Sequence, residues 1–145
     1  MGKVLIRQTV ALSMARDLLN RQQANPRLAG TQWEKTAESF LCSHGLKLLH
    51  RNFSSRFGEI DLIMEDHGTL VFVEVKYRKN SSHGSGADAV TFHKQSRISR
   101  TAAWYLAMNP RRAEQVCRFD VLSIHSQKMD QGINWIKAAF YSTTG

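Results

Sequence analysis

The sequence predicts an α/β domain in which helices flank one central mixed β-sheet, in the order α-β-β-β-α-β-β. Two segments repeat apolar residues at helical spacing, and five short segments have the apolar, β-branched character of strands. At 145 residues with 42% hydrophobic content, the chain is long enough to bury one substantial core. We therefore predict one domain over residues 30–145, preceded by a helical or disordered extension over residues 1–29.

The first helix is predicted to follow a proline-containing loop and to begin at Thr31, whose hydroxyl can cap a helix N-terminus. Trp33, Ala37 and Leu41 then recur at helical spacing and predict one apolar face. Gly45 comes after the last apolar position. It is predicted to end the helix, because glycine adopts the left-handed conformation of a helix C-terminus without strain.

Three strands are predicted to follow as an antiparallel meander. Asp66, His67 and Gly68 separate the second strand from the third, and these residue types suit a tight hairpin turn. Such a short connection joins strands in antiparallel orientation. The predicted strands are GLKLLHRNF (45–53), GEIDLIMED (58–66) and TLVFVEVKYR (69–78).

The second half of the chain begins with a polar loop, rich in Gly and Ser, at residues 79–89. Helical spacing returns over residues 90–109, and Pro110 is predicted to stop this helix. The last two predicted strands are VCRFDVLSIH (116–125) and INWIKAAF (133–140).

Positive charge predominates in the chain. Lys and Arg number 20 against 12 Asp and Glu, which gives a formal net charge of +8 and a sequence pI of about 9.9. This balance favours a polyanionic partner such as nucleic acid. Residues 76–118 carry a net charge of +7, whereas residues 30–75 carry −3. The contrast suits a metal site beside a phosphate-binding surface, although a solvated charged face is the simpler explanation of any single lysine.

Other residues indicate the compartment and the core. Cys42 and Cys117 lack metal-ligand spacing and lie in apolar contexts, so we predict two buried thiols in a reducing cytoplasm. We expect a cytoplasmic protein without a membrane partner, because no segment has the length and hydrophobicity of a membrane span. Trp104 is assigned to the core rather than to a base-stacking surface. Asp120 is predicted to pair with Arg118 or with a neighbouring strand, in a structural role.

Charged residues stand within the two central strands, where apolar residues are expected. Alternation along the third strand sets Glu74 and Lys76 on one side, and alternation along the second sets Glu59 and Asp61 on one side. Pairing of these strands can bring Asp61 near Glu74. Two half-buried carboxylates repel each other unless a cation lies between them or one keeps its proton. Mg²⁺ prefers oxygen ligands, and Lys76 could orient an attacking water or offset charge on a phosphate.

These motifs resemble those of the YraN family of small bacterial proteins, which is similar to the PD-(D/E)xK nuclease superfamily and to archaeal Holliday junction resolvases. The resemblance covers residues 30–140 and rests on GEIDLI, VFVEVKYR, WEKTAESFL and RFDV. The superfamily pattern falls on Asp61, Glu74 and Lys76, with Ile60 in place of the usual proline. Helical spacing alone does not choose between Glu34 and Glu38, which share a face.

The resemblance implies a restriction-endonuclease-like fold and a nuclease that depends on Mg²⁺ or Mn²⁺. It selects Glu34 as the glutamate of the first helix. Asp61, Glu74 and Glu34 would then be metal ligands, Glu34 through water, with Lys76 as the water-orienting group. Glu59 is equally well explained as a turn residue or as an indirect partner of the metal site.

The favoured substrate is structured or branched DNA, with RNA left open because no motif distinguishes a 2′-hydroxyl. The alternative function is a non-catalytic nucleic-acid-binding adaptor in DNA metabolism, and a homodimer is an open alternative to a monomer. For Lys94 and Gln95, phosphate binding at a helix N-terminus and a solvated first turn are about equally good explanations. The residues proposed to bind nucleic acid are Arg78, Lys79, Lys94, Gln95, Arg97 and Arg100.

Overall fold

The computed structural model describes residues 26–78, 89–125 and 132–144, and within these residues the predicted order of two helices and five strands is confirmed. The arrangement is consistent with a restriction-endonuclease-like fold. A short 3-10 helix, Pro110–Arg112, was not predicted. The elements are α1 (Pro26–Ser43), β1 (Lys47–Ser55), β2 (Gly58–Asp66), β3 (Thr69–Arg78), α2 (Phe92–Met108), β4 (Cys117–His125) and β5 (Ile133–Phe140).

Helix α1 begins at Pro26, so the predicted start at Thr31 is wrong. A proline fits the first turn of a helix because its missing N–H would have no partner there, and the sequence signal for a loop was therefore misleading. The predicted boundary between residues 29 and 30 falls inside this helix. The predicted end is confirmed: Gly45 has φ of 92°, and its N–H donates to Cys42 O at 3.1 Å while Leu46 N donates to Leu41 O at 3.2 Å.

The sheet has the order β1-β2-β3-β4-β5. The predicted meander is confirmed, since β1, β2 and β3 pair antiparallel. His67 and Gly68 have φ of 48° and 86°, the positive pair that a two-residue hairpin turn requires. Strand β4 pairs parallel with β3 through the α2 crossover, and β5 returns antiparallel, which makes the sheet mixed as predicted.

Each helix covers one face of the sheet. On one face, Ile98, Ala102 and Tyr105 of α2 join the same buried cluster as Phe72 and Phe119. On the other face, apolar residues of α1 pack against alternate residues of β3 and β4: Trp33, Ala37 and Leu41 against Val71, Val73 and Leu122. The alternation predicted for β3 is confirmed, and Glu74 and Lys76 accordingly follow Phe72 on the α2 side.

Three predictions of burial are wrong. Cys42 is exposed and Cys117 is half-buried, although both stand beside apolar residues in the sequence. Trp104 has 45% of its surface exposed. Each neighbouring position on a helix is rotated by about 100°, so Trp104 lies at the edge of the face that Tyr105 buries, and Cys42 lies outside the face that carries Leu41. Neither of the two described helices is long and apolar enough to cross a membrane.

Candidate acidic site between strands β2 and β3

The candidate site lies where strands β2 and β3 separate. Their pairing runs from Asp66 and Thr69 to Leu62 and Val73 and stops there. One residue further, the Oδ2 atom of Asp61 accepts the Val75 backbone N–H at 2.8 Å. A side-chain carboxylate therefore takes the place of a backbone carbonyl, which holds Asp61 in the opening between the strands.

Strict alternation along β2 also fails at this point. The alternation predicted for β2 would set Ile60 on the same side as Leu62, but Ile60 joins the α2-side cluster together with Ile63, so the prediction is wrong here. On the neighbouring strand β1, Asn52 has φ of 49°. A left-handed residue distorts a strand locally, and asparagine tolerates this conformation better than most residues. The backbone is therefore irregular on both β1 and β2 next to Asp61.

Three carboxyl groups meet at this opening. Glu34 of α1, Glu59 of β2 and Asp61 of β2 each place an oxygen within 4.8 Å of the others, and together they form what we call the carboxylate cluster. Glu74 of β3 lies outside this cluster, but it is close enough to act on Asp61 electrostatically, and only 6% of it is exposed. The structure thus brings together Glu34, Asp61 and Glu74 from three elements and adds Glu59, which sequence reasoning had left undecided.

Each ionised carboxylate of this site makes ionisation of its neighbours less favourable. Burial and the neighbouring Glu74 raise the pKa of Asp61 to about 8, and Glu34 acts in the same direction, against the opposing effects of the Val75 N–H and of Lys94. Burial, together with the charges of Glu59 and Glu74, also raises the pKa of Glu34, against the opposing effects of the Asn52 and Asp61 side chains. Without a cation, the cluster therefore retains a proton at neutral pH.

The other glutamate of the α1 face, Glu38, is engaged elsewhere. Its two carboxylate oxygens accept hydrogen bonds from Nε and Nη2 of Arg51, each at 2.7 Å. This bidentate ion pair separates Glu38 from the cluster, so the geometry distinguishes the two glutamates that helical spacing could not. Glu34 is the one that points into the opening.

The N-terminal turns of α2 form the opposite wall of the site. A cleft of about 530 Å³ runs between them and the acids, and Lys94 forms an ion pair with Glu74 across it. Thr91 caps the helix by accepting Lys94 N at 3.2 Å, which fixes the first turn. Arg97 lies further along the same wall. The described residues that line the cleft are Gly58, Glu59, Asp61, Glu74, Thr91, His93, Lys94, Arg97 and Ile98.

Lys76 does not belong to the described lining of this cleft. Its Nζ atom donates to the carbonyl oxygen of Ala89 at 2.6 Å, three residues before α2 begins. Lys94, in contrast, lines the cleft and places its ammonium group on Glu74. Sequence reasoning had assigned Lys94 to phosphate binding and had missed its contact with Glu74. The crossover topology could have indicated it, because a helix that returns antiparallel to β3 begins near the strand end that carries Glu74.

The remaining predicted nucleic-acid contacts are dispersed. Gln95 donates its Nε2 to Val90 O at 2.8 Å and so braces its own helix terminus. Arg78 is half-buried at the end of β3, opposite His125. Arg100 is exposed on α2, and Lys79 lies outside the described residues. Of the six residues proposed to bind nucleic acid, Lys94 and Arg97 line the cleft.

This combination defines a class of protein: an α/β domain whose mixed sheet opens into an acidic cleft faced by basic residues. A family model described as "Uncharacterised protein family UPF0102" matches residues 33–124, which include Glu34, Glu59, Asp61, Glu74 and Lys94. The chain belongs to this family, which is the YraN family that the sequence motifs resemble.

Three relatives show how far the similarity extends. A UPF0102 protein of Aliivibrio salmonicida is 46% identical over 119 residues, which are 81% of this chain and 95% of the relative. One from Nitrosospira multiformis is 46% identical over 114 residues, covering 79% and 93% of the two chains. One from Vibrio cholerae is 47% identical over 118 residues, with the same coverage. Their names state no activity, so the function must be argued from the site.

Proposed function

We propose that this protein is a Mg²⁺- or Mn²⁺-dependent nuclease that acts on structured or branched DNA. One observation carries the proposal: Glu34, Glu59 and Asp61 place carboxylate oxygens within 4.8 Å of one another in a partly buried cleft. Such an arrangement costs free energy unless a cation or a proton compensates for it. Natural proteins retain costly carboxylate pairs mainly where the chemistry requires them.

The cluster suits a hard divalent cation. Mg²⁺ binds carboxylate oxygens, keeps several waters and accepts substrate phosphate oxygens as further ligands. Asp61 and Glu34 would hold the ion, with Glu74 or Glu59 as an additional ligand. Bound there, Mg²⁺ would lower the pKa of a water and stabilise charge on a phosphate. Metal binding would also remove the proton of Asp61, because an ion and a proton compete for the same oxygens.

The basic wall of the cleft would serve the substrate. Arg97 and Lys94 face the acids across the space in which a phosphate would lie. Lys94 offsets the charge of Glu74 in the absence of substrate. In the proposed reaction Lys76 orients the attacking water. To do so, its ammonium group must leave the Ala89 carbonyl and enter the cleft.

A cleavage assay tests the proposal. Branched, flapped, duplex and single-stranded DNA, and the same structures in RNA, would be incubated with Mg²⁺, Mn²⁺ or EDTA. We expect metal-dependent cleavage of a branched or flapped DNA, lost by orders of magnitude in Asp61→Asn and in Lys76→Ala. Asp66→Asn is the matched control, since it removes an acid from the other end of β2 and should cleave like the wild type.

Two further controls distinguish the glutamates of α1. Glu34→Gln should reduce cleavage, whereas Glu38→Gln, which breaks only the ion pair with Arg51, should leave it unchanged. Equal cleavage by the wild type and Asp61→Asn would point to a contaminating nuclease. Cleavage of RNA alone would move the proposed substrate from DNA to RNA.

A non-catalytic adaptor is the second candidate, and the positions of two lysines favour it. Lys94 already neutralises Glu74, and Lys76 is bonded to a backbone carbonyl beside α2. Such a site could bind nucleic acid without cutting it. Nucleic-acid binding with no metal-dependent cleavage of any substrate, and no effect of Mn²⁺ on thermal stability, would select the adaptor over the nuclease.

We further propose a cytoplasmic location, in keeping with two cysteines that the structure leaves as thiols. Cell fractionation checks this directly. The homodimer stays a prediction, and light scattering with and without a branched DNA would show whether two copies assemble on one substrate.

A further inference from the structure

A second basic feature lies at the rim of the cleft, on the turn between β1 and β2. Phe57 stands at the tip of this turn with its ring half-buried. The guanidinium carbon of Arg56 lies 4.8 Å from the ring centroid, and that of Arg100 lies 5.9 Å from it. Both arginines are exposed, so the ring holds two cations at the surface by cation–π attraction.

The turn is fixed to helix α2 by a closed ring of hydrogen bonds. The Phe57 N–H donates to Ser55 Oγ at 3.1 Å, and Ser55 Oγ lies 3.0 Å from Thr101 Oγ1. The Thr101 hydroxyl donates to the Arg97 carbonyl at 2.9 Å, and Arg97 Nε donates to the Phe57 carbonyl at 3.0 Å. Because Thr101 is completely buried, its two hydrogen bonds are shielded from water, whereas the bond between Arg97 and Phe57 lies at the surface.

Gly58 places the tip against the cleft. It has φ of 150°, and a Cβ added to it would lie 3.4 Å from Arg97 Nε. Gly58 and Arg97 both line the cleft that contains Asp61 and Glu74. The tip is therefore continuous with the acidic site, and Arg97 connects the two.

We propose that Arg56, Arg97 and Arg100, which we call the arginine rim, bind the phosphodiester backbone of a nucleic acid and lay it across the carboxylate cluster. Guanidinium groups pair with phosphate oxygens in bidentate geometry, and a preformed set loses little side-chain entropy on binding. Phe57 is a positioning residue that holds two of the three cations. This inference rests on the nucleic-acid-binding part of the proposed function and does not need cleavage.

A phosphodiester fits the rim better than an acidic protein surface does. The rim lies beside four carboxyl groups, Glu34, Glu59, Asp61 and Glu74, which would repel aspartates and glutamates of a partner protein. Each phosphate, in contrast, can place its oxygens on the guanidinium groups and, over the cluster, on a bound cation. The net charge of +7 over residues 76–118 supports a polyanion of regular charge spacing.

The test is binding of a fluorescent branched DNA and its duplex arm in EDTA at several salt concentrations, with the full chain. For duplex DNA, we expect Arg56→Ala and Arg100→Ala each to lower the log-log salt slope by about 0.9. Arg111→Ala is the matched control, because Arg111 is an exposed arginine beyond the C-terminal end of α2, whereas the Phe57 turn contacts the N-terminal half of α2, and it should leave the slope unchanged. Thermal unfolding checks that each variant folds.

Phe57 is examined by two substitutions of similar size. Phe57→Leu keeps an apolar side chain but removes the cation–π contacts, so we expect weaker binding at unchanged thermal stability. Phe57→Tyr keeps the ring and should bind like the wild type. Equal binding by the Leu, Tyr and wild-type proteins would overturn the positioning role.

Failure of this inference and failure of the nuclease proposal are distinguishable. If Arg56→Ala, Arg100→Ala and the control Arg111→Ala reduce the slope equally, binding is diffuse and the arginine rim is not a site. If the wild type binds no nucleic acid at low salt, or if polyglutamate competes as well as DNA does, the assigned ligand is wrong. If the rim variants alone reduce the slope while no metal supports cleavage, the arginine rim stands and the nuclease proposal falls.

Discussion

Two aspartates on central strands of the same sheet have opposite surroundings. Asp120 of β4 is completely buried, and its carboxylate accepts Arg118 Nε at 2.9 Å and Arg118 Nη2 at 3.1 Å. Asp61 of β2 has Glu34 and Glu74 as close neighbours. The comparison teaches that burial of a carboxylate does not by itself identify a functional site. The decisive feature is whether the protein supplies its own counter-charge.

Asp120 belongs to the architecture of the sheet. It also accepts Trp135 Nε1 at 2.9 Å and the Ala138 N–H at 3.0 Å, both from β5. Ala138 has φ of 49°, and the pairing of β4 with β5 shifts register between Phe119 and Val121. The carboxylate thus satisfies backbone and indole groups that the irregular pairing leaves without a strand partner.

The largest expected effect follows from removing the satisfied aspartate. Asp120→Ala would bury the Arg118 guanidinium without its main partner, and we expect a loss of about 3–5 kcal/mol in the free energy of unfolding. Urea denaturation measures it. Asp66→Asn, which alters the other acid bonded to Arg118 at 3.0 Å, is the control and should cost less, because Asp66 is only partly buried. A loss below about 1 kcal/mol for Asp120→Ala would show that Asp120 is not the structural member of the comparison.

The second prediction concerns pH and the unsatisfied aspartate. The folded pKa of Asp61, about 8, lies above its ordinary value of 3.8, so the folded state retains a proton that the unfolded chain has lost. In EDTA, stability should therefore fall as the pH rises from about 5 to 8, by up to about 1.4 kcal/mol per pH unit. Asp61→Asn cannot ionise, and it should be more stable than the wild type at pH 8 with a shallower slope.

Asp66→Asn is again the control. The hydrogen bond from His67, and then Arg118, lower the pKa of Asp66, so its contribution is lost as the pH falls below about 4 and not in this range. Parallel stability curves for the wild type and Asp61→Asn between pH 5 and 8 would mean that Asp61 is solvated like an ordinary surface acid.

Much of this contrast could be predicted from the sequence, because it depends on strand periodicity. The bounds predicted for β2, β3 and β5 are confirmed, since turn residues mark their ends clearly. Arg118 stands two residues before Asp120, so alternation places the two on one face of β4, and the predicted pairing is confirmed. Hairpin pairing likewise indicated that Asp61 approaches Glu74.

The rest depends on contacts between elements that are distant in sequence. The start of α1 was missed because Pro26 is compatible with both a loop and a first helical turn. The contact of Lys94 with Glu74 depends on where α2 lies after the crossover, and the turn at Phe57 is joined to Arg97 across 40 residues of sequence. Neither follows from periodicity, which describes the faces of an element and not its neighbours.

The third prediction tests whether a cation from solution supplies the counter-charge of Asp61, as Arg118 supplies that of Asp120. Mn²⁺ should raise the melting temperature of the wild type. The free energy of unfolding should increase by about 1.4 kcal/mol when the free ion concentration is about ten times its Kd. Differential scanning fluorimetry measures the shift. Asp61→Asn should abolish it, and Asp66→Asn should retain it. The same rise in the Asp61 variant would place the ion elsewhere on the protein and remove the metal site from consideration.

The smallest expected effect separates the two lysines of the site. Lys94 is half-exposed, so its ion pair with Glu74 is partly screened, and Lys94→Met should lower metal-free stability by about 1 kcal/mol or less. The same change should increase the Mn²⁺-induced rise in melting temperature, because the ammonium no longer competes with the ion for the Glu74 carboxylate. Lys76→Met, whose ammonium bonds the Ala89 carbonyl, should leave the Mn²⁺ effect unchanged. If Lys94→Met instead weakens the response to Mn²⁺ while Lys76→Met does not, Lys94 helps to assemble the metal site and does not substitute for the cation. The protein would then supply part of the counter-charge of Asp61, as it does for Asp120.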